Sequence, residues 1–114
     1  MTLWHVAFAS RLDVILRDGI VPDGRAPVVF AFRDYGDAAR WAGTVQWTYL
    51  DDDDMPRLIV IVEFDADPAV CEAASDRTLD VPRSSVVLRD GSVPPTAIRH
   101  VEVLVSALLS RLAS

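Results

Sequence analysis

Lysine is absent from this 114-residue chain, and cysteine, glycine and glutamate are scarce. All eleven basic residues are arginine, and only Glu63, Glu72 and Glu102 among the seventeen acids are glutamate, a skew that reflects a GC-rich coding bias rather than chemistry. One cysteine, Cys71, excludes an internal disulfide and argues against a cysteine-built metal centre. The five glycines form neither G-x-G-x-x-G nor G-x-x-x-x-G-K, so the usual phosphate-cradling loops are missing. Hydrophobic residues make up 51% and charged residues 25%, the balance of a globular protein without a membrane span. Basic residues are spread along the chain and the net charge is −6, so nucleic acid is not an expected partner. Met1-Thr2-Leu3 runs straight into strand-like residues without the charged start and apolar core of a secretory signal, and the expected location is the cytoplasm.

The length suits a single domain over 1–114. Apolar runs predict strands at 3–7, 28–32, 58–64, 84–89 and 100–104, and helices at about 10–18 and 35–49. Ser10 is placed to cap the first helix and Gly19 to end it; Asp34 is placed to cap the second. The run "RLIVIVEF", Arg57 to Phe64, is near-continuous in apolar character, which predicts a strand covered on both faces at the sheet centre. Asp51 to Asp54 followed by Pro56 reads as a solvated loop, since it lacks the spaced acids and turn glycine of a calcium loop. Strand, helix, strand, helix and then several strands make an α+β domain rather than a doubly wound parallel sheet.

Three stretches carry a resemblance. "LWHVAFASRLDVILRDGIVPDG" resembles the opening of small proteins of the ADP-ribosyltransferase fold, in which a strand bearing a histidine precedes a short helix and a Gly-apolar-x-Pro turn. "PVVFAFRDYGDAARWAG" looks like the superfamily's second motif, and "SVPPTAIRHVEVL" is similar to the closing segment of relatives that include the RNA 2′-phosphotransferases. The resemblance implies an ADP-ribosyltransferase-like fold: two small, mainly antiparallel sheets forming a cleft, with two short helices in the N-terminal half. It implies NAD or an ADP-ribosyl nucleotide as ligand, His5 holding the ribose and Phe30 walling the nicotinamide without the hydroxyl of the tyrosine usual in one branch. Arg11 or Arg33 would pair with the pyrophosphate, because a guanidinium matches phosphate oxygens bidentately. The catalytic glutamate of that branch would fall at about Ser84, where this chain has no acid. A serine supplies no charge to stabilise an oxocarbenium-like transition state. The resemblance thus implies a nucleotide-binding domain without the branch's catalytic glutamate, open to binding or to a different transfer chemistry, and a non-catalytic interaction module of the same fold with no nucleotide ligand is the alternative.

Other polar residues have plain readings beside functional ones. A histidine in a strand is commonly a hydrogen-bonded core or edge residue, and Phe30 and Trp41 fit ordinary core positions. Glu63, set among apolar neighbours, reads as a raised-pKa acid or as one half of a buried salt bridge. His100 and Glu102, two apart in the last strand, share a face and read as a polar pair or as a solvent-facing edge.

Overall fold

A computed structural model describes residues 1–22, 29–48, 57–73, 85–88 and 92–104. Strand β1 spans Thr2–Phe8, β2 Val29–Phe32, β3 Ile59–Asp65, β4 Cys71–Ala73, β5 Ser85–Leu88 and β6 Ile98–Leu104. Helices α1 and α2 cover Leu12–Asp18 and Tyr35–Thr48, and short 3₁₀ turns occupy Ala9–Arg11, Pro68–Val70 and Pro95–Ala97. The five expected strands and two expected helices are present to within a residue or two over the described residues, while positions 28, 49, 84 and 89 of the expected ranges lie outside them. Strand β4 was not expected: it has only three residues and takes its conformation from pairing with β5.

The six strands form one sheet in the order β4-β5-β2-β1-β3-β6, and every described pairing is antiparallel. The expectation of two sheets facing each other across a cleft is therefore overturned. The physical reason is that β1 is paired along both edges. It meets β3 through seven register pairs from Thr2↔Asp65 to Phe8↔Ile59, and it meets β2 through the pair Trp4↔Phe32. That single pair joins β4-β5-β2 to β1-β3-β6. Strand β3 is covered on both faces, with Ile59 to Val62 and Phe64 essentially inaccessible, but it lies next to the edge strand β6 and not at the centre.

Alternation along the strands divides the core into two layers. Leu3, Ala31, Val60, Val62 and Phe64 face one side, where Ile15 of α1, Ile20 and Val93 cover them. Phe32, Ile59 and Ile61 face the other, with Trp4, Val6 and Phe8 packed alongside. Helix α2 covers that second face through Ala38 and Ala42, both wholly buried, with Trp41 and Val45 flanking. Asp34 caps this helix as its position suggests, its Oδ2 accepting from the Asp37 amide at 2.9 Å. Gln46, buried near the other end, donates from Nε2 to the Leu104 carbonyl at 2.9 Å and ties α2 to β6. Ser10 does not cap α1; it sits in the 3₁₀ turn, Arg11 holds the capping position, and no side chain bonds there.

Gly19 ends α1 and fixes how the next residues meet the chain's last third. Its φ is +83° and its ψ −172°, a region open to glycine and costly for other residues. Ile20 then bridges Val93, with Ile20 N donating to the Val93 carbonyl at 2.9 Å and Val93 N donating back at 2.8 Å. A Cβ at position 19 would lie 1.9 Å from the Val93 carbonyl oxygen, which is backbone and cannot swing aside. Gly19→Ala is expected to destabilise the protein by about 2–4 kcal/mol, from backbone strain and overpacking together. Thermal unfolding should show this as a fall in Tm of roughly 10 °C or more. A shift under about 2 °C would show that the α1–Val93 junction is not closed as described.

Candidate functional site

His5 stands where the β1–β2 ladder is thinnest. Residues on either side of it in β1 face the α2 layer, so His5 projects to the opposite face with Leu3 and Ala7. Its Nδ1 lies 2.7 Å from the Phe30 carbonyl oxygen. A carbonyl only accepts, so Nδ1 carries the proton, and in the neutral ring Nε2 is left as an unprotonated acceptor. Desolvation lowers the His5 pKa from its ordinary 6.5; the bond to Phe30 opposes the lowering and the positive charge of Arg11 adds to it. At neutral pH the half-buried imidazole is thus uncharged, with a fixed tautomer and a single lone pair to offer.

Phe30 contributes its carbonyl to this arrangement, not its ring. It lies two residues from Phe32, which faces the α2 layer opposite Trp4, so the Phe30 side chain points to that face as well, 54% exposed. His5 and the Phe30 ring therefore lie on opposite faces of the sheet, and the expected aromatic wall beside the histidine is not formed. Arg11 is exposed at the end of the 3₁₀ turn after β1, close enough for its charge to act on His5. Arg33 is exposed in the bend after β2, with no ion pair among the described residues. Ser84 lies outside the described residues, as do Asp51 to Asp54. Its neighbour Ser85 is buried opposite Phe32, and its Oγ has no hydrogen-bond partner.

The three-residue group of histidine, carbonyl and guanidinium suits a ligand that donates a hydroxyl proton and carries an anionic group. Nε2 accepts the hydroxyl and Arg11 supplies the cation. Charge stabilisation by a carboxylate is missing from it, since no described acid bonds His5 or is among the groups that shift its pKa. The acids treated as candidates lie elsewhere. Glu63 and Glu102 occupy the α2 face, opposite Trp4 and Ile61 respectively. Glu102 accepts from the Tyr35 hydroxyl at 2.6 Å rather than pairing with His100, and that hydrogen bond raises the tyrosine pKa. Tyr35 was not anticipated at a site; its position at the start of α2 is legible, but its reach to β6 depends on how the helix crosses the sheet. Among the described residues no group of three His, Cys, Asp or Glu could hold a metal ion, and no helix is long and apolar enough to cross a membrane.

No family model matches the chain, and no curated protein matches it. The geometry therefore carries the functional argument.

The lowered pKa of His5 has a consequence for stability. In the unfolded chain the ring takes up a proton as pH falls through 6.5, while the folded protein resists protonation until a lower pH. Stability contributed by the neutral ring is thus full above 6.5 and is lost as pH falls from there to the folded-state value. Wild type and His5→Gln should be compared by denaturant unfolding between about pH 8 and pH 5. The wild-type advantage is expected to hold at the upper end and shrink towards the lower; a difference that stays constant across this window would show that the ring is not desolvated.

Proposed function

We propose that the protein is a small binding domain for the ribose-phosphate part of an ADP-ribosyl nucleotide, with NAD as one such ligand, and that it does not cleave the glycosidic bond. The observation that carries this reading is the 2.7 Å contact of His5 Nδ1 with the Phe30 carbonyl, which leaves Nε2 as an acceptor beside the Arg11 charge. A ribose hydroxyl fits the acceptor and a phosphate fits the guanidinium. This agrees with the resemblance of "LWHVAF" to the first motif of the ADP-ribosyltransferase fold, although the cleft of two sheets implied by that resemblance is absent. Binding at this site rests on ribose and phosphate, because the Phe30 ring faces away and stacks no nicotinamide. The lack of a carboxylate at His5 among the described residues supports binding without turnover.

ADP-ribose and NAD should each raise the unfolding temperature, and nicotinamide alone should not. At a hundred times its dissociation constant a ligand adds about 2.7 kcal/mol, several degrees for a domain of this size. His5→Ala is expected to weaken ADP-ribose binding about tenfold, the loss of one hydrogen bond to a polar group, whereas Glu102→Ala on the other face leaves it unchanged. Little nicotinamide should be released from NAD. Failure of both nucleotides to bind would favour the interaction module without a nucleotide ligand, and brisk NAD cleavage would place a catalytic acid at this site that the described residues do not supply.

A further inference from the structure

The face of β1 opposite His5 carries a second group of chemically matched side chains. Trp4, Glu63 and His100 lie in one row across β1, β3 and β6, and Glu102 lies in the next row opposite Ile61. Tyr35, at the start of α2, sets its ring against Trp4 with centroids 6.2 Å apart and planes at 67°, so the two rings form walls of a corner. Its hydroxyl donates to Glu102 at 2.6 Å, which holds that carboxylate at the edge of the corner. Glu63, directly across from Trp4, has no hydrogen-bond or ion-pair partner among the described residues.

Two half-buried carboxylates on diagonal positions of one sheet face repel each other and call for a cation. The neighbouring cations do not provide it. Arg99 is engaged by Asp65 at 2.6 Å, and neither Arg33 nor His100 makes an ion pair among the described residues. The positive N-terminal end of α2 offsets part of the Glu102 charge and leaves Glu63 the less compensated of the two. Aromatic rings attract cations over their faces, and an alkylammonium group loses less hydration than a small metal ion on entering such a corner.

We propose that Trp4, Tyr35, Glu63 and Glu102 form a binding site for an alkylammonium group, such as the end of a lysine side chain or of a polyamine. The site is independent of the nucleotide reading, since it lies on the opposite face of the sheet. Tetramethylammonium and the uncharged neopentyl alcohol of similar size are the first probes, with the Trp4 indole followed by NMR. Tetramethylammonium should bind at least about tenfold more tightly than the alcohol and shift the Trp4 signal. Glu63→Gln and Glu102→Gln, which keep side-chain size, should each weaken the cation about three- to tenfold. Spermidine and N-acetyl-lysine amide then separate the two sources, and preference for either supports the site. Equal binding of cation and alcohol, no shift at Trp4, or unchanged affinity in both glutamine variants would overturn the proposal. Should either variant fail to fold, the comparison of charged and neutral probes on the wild-type protein still decides.

Discussion

Strand β1 is held by a seven-residue ladder on one edge and by a single residue pair on the other, and the sheet is continuous only because that pair, Trp4↔Phe32, closes. The side-chain bond from His5 to the Phe30 carbonyl reinforces the same junction at a place where the backbone ladder supplies no further registered pair. A polar side chain thus does part of the work of a strand hydrogen bond. Its burial is tolerable because the ring stays neutral and its Nδ1 proton is satisfied. The same neutrality leaves Nε2 available, so one bond both joins the sheet and shapes the candidate site.

The two faces of β1 separate two chemistries. On the His5 face the group is an acceptor with a cation nearby; on the Trp4 face it is a pair of carboxylates with aromatic walls. Strand alternation accounts for the separation, since adjacent residues in β1 cannot present side chains to the same layer. It also explains why Phe30 lends its backbone to one face and its ring to the other.

Much of the architecture was legible in local pattern. The continuous apolar run of β3, the small-residue stripe Ala38 and Ala42, the cap at Asp34 and the stop at Gly19 each follow from short-range physics. What pattern did not reveal depends on partners far along the chain. The number of sheets turned on whether the second edge of β1 would pair with β2, and the three-residue β4 exists through its neighbour β5. The phase of β2 mattered most for the site. Val29 and Ala31 face the α1 layer and so turn the Phe30 ring to the α2 side, an assignment that a four-residue apolar strand leaves open until its neighbours are known. His5 was found because its polarity conflicts with its surroundings, whereas nothing in the local pattern of Tyr35 or Trp4 marks a site.

The bridge between Ile20 and Val93 sets an order on folding. Helix α1 is too short to persist alone, and its end is fastened by a segment that arrives much later in the chain. Closing so long a loop carries an entropic cost that is met only when the sheet has already brought the two segments near each other. The C-terminal fastening of the first helix is therefore available only after Val93 has been made, long after the helix's own residues.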